Sequence, residues 1–172
     1  NEEKVPLRNV VPNELPNGAG VASVRVDYSP DLITDEALAF IRRSADKPFF
    51  LYFAPTLPHA NNEARNRGLE VPDYGEYSSR DWPDPEKGFA AMVTRLDRDV
   101  GRIMNLLREL NLESRTLVVF TSDNGPHKEG GRDPGFHRSS GPLRGIKRDL
   151  YEGGIRVPFV VSWPGVVPTG TI

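Results

Sequence analysis

His59 is the first residue whose type and position could do chemistry. It comes directly after Pro58, shortly beyond the apolar run 49–53, a pattern typical of a buried strand. Ligands of open α/β sheets bind outside the carboxyl ends of the strands, and a histidine there can act as general acid, general base or anion donor. The alternative is a loop histidine bonded to a backbone carbonyl, which is the default for a lone histidine.

Asp123 and Asn124 form a second polar group at a predicted strand end, because they follow the β-branched run 116–120 and precede Gly125. A carboxylate and an amide oxygen are hard ligands that suit calcium or magnesium better than zinc or copper. Asn-Gly after a strand is also an ordinary turn, and that interpretation is somewhat favoured when the motif is taken alone. Two oxygens also fall well short of the roughly 6–8 ligands that calcium takes.

Lys147 lies among several glycines, in the segments 145–147 and 151–154. Glycines let a backbone approach a ligand closely, and a lysine brought there can neutralise an oxyanion. The alternative is a solvated loop lysine. His127 and His137 lie in the preceding glycine-rich loop and are individually weak candidates.

Three apolar runs and one periodic segment predict the elements that position these residues. The runs 49–53, 116–120 and 157–163 predict strands, and apolar residues at spacings of three and four between Phe89 and Leu110 predict an amphipathic helix of about six turns. Strand, long crossover, helix and strand is the order of a βαβ unit in a parallel sheet. The predicted class is therefore α/β, with a largely parallel or mixed sheet flanked by helices.

The rest of the chain is predicted to contain one shorter helix and long connections. Proline and glycine make residues 1–28 an extended segment with a short strand at 21–26, and Thr34 is a plausible N-cap of a helix. Residues 54–85 and 122–146 are rich in proline, glycine and charge, which predicts long loops. Loops of this length inside a compact domain are uncommon and often functional.

The composition of the chain limits the classes of protein to which it can belong. The chain has 172 residues, 37% of them hydrophobic, with 22 basic and 24 acidic side chains and no cysteine. One domain is expected from this length. The net charge of −2 argues against a general nucleic-acid or membrane-surface binder, and no apolar run approaches the roughly 20 residues of a membrane span. The absence of cysteine excludes disulfides and thiolate chemistry within these residues.

Three motifs, in this order and spacing, resemble the type I sulfatases of the alkaline-phosphatase-like superfamily. The first is the run from Pro48 to His59, and the second is Thr121-Ser122-Asp123-Asn124-Gly125-Pro126. The third is Gly145-Ile146-Lys147 followed by Tyr151-Glu152-Gly153-Gly154-Ile155-Arg156-Val157-Pro158. The resemblance extends over nearly the whole chain, and the surrounding residues look most like bacterial arylsulfatase-type members.

The resemblance implies a role for each matching residue. Asp123 and Asn124 would be two ligands of a calcium ion, while His59 and Lys147 would contact the sulfate as catalytic residues. His59 would be placed to protonate the leaving alcohol, and His127 is a possible substrate contact. The substrate would be a small-molecule or carbohydrate sulfate ester, and the family resemblance implies a periplasmic or secreted enzyme.

One departure from the family pattern concerns the nucleophile. The family makes a formylglycine from a Cys/Ser-x-Pro-x-Arg motif, but here cysteine is absent and Ser29-Pro30 is followed by Asp31. The family's paired N-terminal aspartates and Gly-Lys-x-His segment are also missing. These parts normally precede the region present here, so residues 1–172 are predicted to be a single, partial domain from the middle of the catalytic domain. Alone, such a piece is expected to be inactive.

Two other interpretations remain open at this stage. One is a non-catalytic binding or scaffold domain that kept the fold and lost the nucleophile. The other is a phosphate or phosphonate ester hydrolase of the same superfamily. The coding sequence upstream of Asn1 discriminates among the three, since each requires a different residue, or none, at the nucleophile position.

Overall fold

The computed structural model describes residues 4–13, 15 and 19–172, which group into two compact units. Unit 1 comprises the described residues up to Glu36 together with Phe53–Leu96 and Glu129–Gly131. Unit 2 comprises Ala37–Tyr52, Asp97–Lys128 and Arg132–Ile172. The predictions for residues 1–3, 14 and 16–18 lie outside the described residues. The prediction of a single, partial domain stays a prediction.

Helix α1 spans Ser29–Ser44 and begins a turn and a half earlier than the sequence predicts. Thr34, the predicted N-cap, is buried inside the helix, where its hydroxyl donates a hydrogen bond of 2.8 Å to the Pro30 carbonyl. Proline is favoured in a first helical turn because its fixed φ suits the helix and its missing N–H has no partner there anyway. The N-cap prediction for Thr34 is therefore wrong, and the Ser-Pro pair starts the helix.

Helix α2 spans Asp84–Glu109 and confirms the strongest periodic signal of the sequence. Asp84 and Glu86 lie in its first turn and Arg108 in its last, which is the arrangement that complements the helix dipole. Its apolar stripe is buried in both units. In unit 2, Ile41, Leu106, Leu107 and Leu112 form a buried cluster. In unit 1, the buried cluster consists of Leu57, Ala60, Leu69 and Met92.

The sheet of the described residues contains two strands in unit 2. Strand β1 spans Val118–Thr121 and pairs antiparallel with β2, Phe159–Ser162, so that Val118 faces Ser162. Two of the three predicted strands are thus confirmed; both are shorter than predicted, and β1 ends one residue later than the predicted run. The pair is antiparallel, and the parallel βαβ unit predicted between runs 49–53 and 116–120 is not formed among the described residues.

Residues 49–53 form no strand, which corrects the first strand prediction. An apolar run indicates that a segment can be buried, but a strand also needs a neighbour that accepts and donates its backbone hydrogen bonds. The predicted strand at 21–26 is likewise reduced to an isolated antiparallel bridge between Val10 and Val24.

The predicted long loops contain short helical turns. Residues 54–85 include 3₁₀ turns at Asn62–Arg67 and Gly75–Tyr77, and residues 122–146 include one at Glu129–Gly131. The short helix α3 spans Glu152–Ile155 and precedes β2. No helix in the described part of the chain is both long and apolar enough to cross a membrane.

Candidate functional site

Strand β1 leads directly into the turn that holds the predicted metal ligands. Thr121 ends the strand, and the exposed Asp123 and half-buried Asn124 follow it after one residue. The Ser122 hydroxyl donates a hydrogen bond of 3.0 Å to the Asn124 carbonyl and so fixes the turn locally. The carboxylate of Asp123 is accessible at the carboxyl end of a strand, as the sequence predicts.

Three glycine backbones interlock beside this turn. A Cβ atom on Gly125 would lie 2.0 Å from the Gly153 carbonyl oxygen, and one on Gly153 would lie 2.1 Å from the Gly145 carbonyl oxygen. The Gly125 N–H donates to the Gly154 carbonyl at 2.9 Å, and the Gly153 N–H donates to the Arg144 carbonyl at 2.7 Å. The turn after β1, the Lys147 loop and α3 are therefore packed backbone against backbone, which only glycine permits.

The main chain of Lys147 is hydrogen-bonded to the turn that follows β1. Its N–H donates a hydrogen bond of 2.8 Å to the carbonyl of Pro126, two residues beyond Asn124. The loop is also closed on itself, because the Asp149 carboxylate accepts a bond of 2.9 Å from the Ile146 N–H. The half-buried Lys147 thus belongs to the same part of unit 2 as Asp123 and Asn124.

His127 also lies in unit 2 and is buried, with 7% of its surface exposed. Its role as a possible substrate contact stays a prediction. Its burial means that a ligand would reach it only from a cavity lined by this loop or after a local rearrangement.

The donor chemistry of the turn fits part of a calcium site. Asp123 and Asn124 offer hard oxygens, which calcium prefers. Within the described residues, no cluster of three or more histidine, cysteine, aspartate or glutamate side chains is arranged to hold a metal ion. Asp123 and Asn124 would therefore supply only part of a calcium coordination shell, and the remaining ligands would have to come from other groups.

His59 belongs to unit 1, in a loop that enters through a cis Leu57-Pro58 peptide bond. Its Nδ1 lies 2.7 Å from the Ala60 carbonyl oxygen. A carbonyl oxygen only accepts, so Nδ1 carries the hydrogen of this bond. The bond to a backbone carbonyl, which is the alternative to a catalytic role for a lone histidine, is thus present, but it involves Nδ1 only. Almost half of the side chain, 47%, is exposed.

Glu129 contacts the other ring nitrogen, a role that the sequence alone does not predict. Its Oε2 lies 3.7 Å from Nε2 of His59. The two residues are 70 positions apart in the sequence, so no local pattern links them. The sequence feature that points to Glu129 is the pair Gly130-Gly131 directly after it in a long loop. Such a glycine pair indicates that the backbone approaches another segment closely.

Comparison with known proteins agrees with the three motifs. The Sulfatase family model matches residues 2–172. The chain is 36% identical over 139 residues to N-acetylgalactosamine-6-sulfatase of Canis lupus familiaris, covering 80% of this chain and 24% of that protein. It is 35% identical over 142 residues to steryl-sulfatase of Homo sapiens, covering 80% and 22%.

The fold agrees as well. The crystal structure of Ps i-CgsB in complex with k-i-k-neocarrahexaose matches with a TM-score of 0.70 and 32% identity, over 88% of this chain and 31% of that one. The chain spans about a quarter of the length of the curated relatives named above. The likeness confirms the predicted class, an incomplete α/β fold of the alkaline-phosphatase-like kind. With a family model that matches nearly every residue, this chain belongs to the sulfatase family.

Proposed function

We propose that this chain is part of an enzyme that hydrolyses sulfate monoesters and that it supplies a share of the metal and sulfate site. The observation that carries the proposal is the interlocking of Gly125, Gly145 and Gly153. It packs the turn bearing Asp123 and Asn124 against the backbone of the Lys147 loop. A metal-binding oxygen pair and an ammonium group brought to one part of a unit suit an oxyanion substrate.

Lys147 would offset the charge that gathers on the sulfate oxygens as the ester bond breaks. Asp123 and Asn124 would hold a calcium ion together with ligands from outside these residues. When bound, the ion would supply further positive charge at the sulfate oxygens. The nucleophile, a formylglycine in the family that this chain resembles, would also come from outside these residues, so the 172-residue chain alone would be inactive.

His59 would protonate the leaving oxygen through Nε2. Nδ1 is engaged with the Ala60 carbonyl, so Nε2 is the nitrogen that can carry a second, transferable proton. As the bond between sulfur and the ester oxygen breaks, its electron pair stays on that oxygen and the Nε2 proton joins it. The ring is left neutral, and solvent restores the proton.

The names of two similar proteins favour a sulfated carbohydrate as substrate. One relative is named for N-acetylgalactosamine 6-sulfate and the similar structure holds a neocarrahexaose. Steryl-sulfatase has nearly the same identity, so a sterol or aryl sulfate is the second candidate class. The full protein would act in the periplasm or outside the cell, as the family resemblance implies.

The experiment compares two variants of the full-length protein on two kinds of leaving group. General acid catalysis contributes about 10²–10⁴-fold and matters most for a poor leaving group. His59→Ala should therefore reduce kcat/KM strongly with a sugar sulfate and much less with a nitrophenyl sulfate, whose phenolate leaves unaided. Lys147→Ala should reduce both more nearly alike, because it acts on the sulfate itself.

His137→Ala serves as the matched histidine control and should leave the ratio of the two substrates unchanged. Formation of the formylglycine is confirmed by mass spectrometry before kinetics. Equal losses on both substrates for His59→Ala would remove the proton-donor role. Hydrolysis of phosphate esters in preference to sulfate esters by the wild type would overturn the proposed reaction.

A further inference from the structure

We propose that Glu129 is a positioning residue for His59, holding its Nε2 in place and balancing the charge of the ring while it carries the second proton. The proposal rests on the proposed function of His59 as proton donor. It is carried by the geometry of unit 1, in which the two ring nitrogens have separate partners.

The ring of His59 is held from both sides. Nδ1 donates to the Ala60 carbonyl at 2.7 Å, and Oε2 of Glu129 lies 3.7 Å from Nε2. The second distance is that of an ion pair and exceeds that of a hydrogen bond. Glu129 therefore does not take the Nε2 proton in a hydrogen bond, and its carboxylate is still close enough to attract the positive ring and hold its orientation.

The backbone that carries Glu129 is closely packed at the two glycines that follow it. Gly130 has φ of +71°, and a Cβ atom there would lie 2.8 Å from the Cβ of Ala60, the residue after His59. Gly131 has φ of +87°, and a Cβ atom there would lie 2.7 Å from the Asn66 carbonyl oxygen. The backbone that carries Glu129 is thus packed directly on the loop that carries His59.

The carboxylate is also shielded from water. The Glu129 side chain is 13% exposed, whereas the side chain of His59 is 47% exposed. A charge pair with one partially buried partner is screened less than a surface pair. The other charged residues on the packed Asn62–Arg67 turn, Glu63, Arg65 and Arg67, are all exposed. Glu129 is therefore an acidic group that is partly buried and placed to act on this ring.

The test uses the full-length protein with Glu129→Gln, which keeps the size of the side chain and removes its charge. With a sugar sulfate we expect kcat to fall about tenfold, a fraction of the whole contribution of a general acid. With a nitrophenyl sulfate, kcat should change less than about twofold, and KM should be nearly unchanged for both. Glu63→Gln, an exposed carboxylate on the packed turn, is the matched control and should have no effect on either.

The double variant separates this inference from the proposed function. In a His59→Ala background, Glu129→Gln should cause little further loss, because the group it positions is gone. If His59→Ala shows the dependence on the leaving group and Glu129→Gln does not, the role of Glu129 is refuted while that of His59 stands. If neither shows it, the proton-donor function itself fails.

A general loss of structure would look different. If Glu129→Gln lowers kcat equally on both substrates, or raises KM alone, Glu129 has only a structural role and the proposal is refuted. Should that variant fail to fold, Glu129→Asp, which keeps the charge at a longer distance, decides the same comparison. A smaller loss confined to the sugar sulfate would support the proposal, and an equal loss on both would refute it.

Discussion

Gly153→Ala tests whether the three glycine segments interlock as the structure shows. The new Cβ would lie 2.1 Å from the Gly145 carbonyl oxygen and 2.7 Å from that of Arg144. An ordinary contact needs about 3.5 Å, so the backbone must move by more than about 1 Å. No positive φ is involved at Gly153, so the expected effect is due to space alone.

The size of the effect follows from two costs. Overpacking of this kind costs about 1–3 kcal/mol. The movement would also weaken the hydrogen bond of 2.7 Å from the Gly153 N–H to the Arg144 carbonyl, a loss of about 0.5–1.5 kcal/mol. The free energy of unfolding should therefore fall by about 2–4 kcal/mol. For a chain of this size each kcal/mol shifts Tm by about 2–4 °C, so Tm should drop by about 5–15 °C.

Gly101→Ala is the matched control for the same substitution in the same unit. Gly101 lies in the interior of α2, and nothing would come within 4 Å of its new Cβ. Alanine should stabilise the helix there by about 1 kcal/mol. Thermal unfolding followed by circular dichroism should move the two Tm values in opposite directions. A Tm of Gly153→Ala within about 2 °C of wild type, with Gly101→Ala raised as expected, would refute the interlocking.

Two further predictions concern calcium and acid. The 172-residue chain should bind calcium only weakly by calorimetry, because Asp123 and Asn124 are two ligands of a shell of about six or more. Micromolar affinity of the chain alone would show that further ligands lie within it. Asp123→Ala in the full-length protein should raise the calcium concentration needed for half-maximal activity, and an unchanged calcium requirement would refute its role as a ligand. In unit 1, hydrogen bonds from the side chain and the backbone N–H of Arg8 lower the pKa of Asp27. The resulting stability should be present above the unfolded pKa of about 3.9 and lost as pH falls through the folded value. The difference in urea midpoint between wild type and Asp27→Asn should therefore shrink below about pH 4, and a constant difference down to pH 2 would contradict it.

The predictions that succeeded depend on neighbours close in the sequence. Helix α2 is predictable because the apolar spacing of a helix repeats within a few residues. The order of the three motifs is likewise readable along the chain, and it led to the family that the comparisons show. The site assignments of His59, Asp123, Asn124 and Lys147 stay predictions, although the structure gives each a definite place.

The predictions that failed depend on distant partners or on the start of an element. Residues 49–53 have the composition of a strand, yet they form none among the described residues, because a strand exists only with a hydrogen-bonded neighbour. Thr34 has the type of an N-cap, but Pro30 starts the helix earlier. Propensity at one position is overridden by a stronger signal nearby.

Residue types and their order along the chain were sufficient to identify the sulfatase family, to which the chain belongs, and to predict a histidine, an oxygen pair and a lysine as its chemical groups. Contact between the Gly125 turn and the Lys147 loop arises in the folded chain, where carbonyl oxygens occupy the space that side chains would need. The approach of Glu129 to His59 has the same origin, since 70 residues separate them in sequence. Such pairs are brought together by packing between segments, and packing is a property of three-dimensional distances that no local pattern contains.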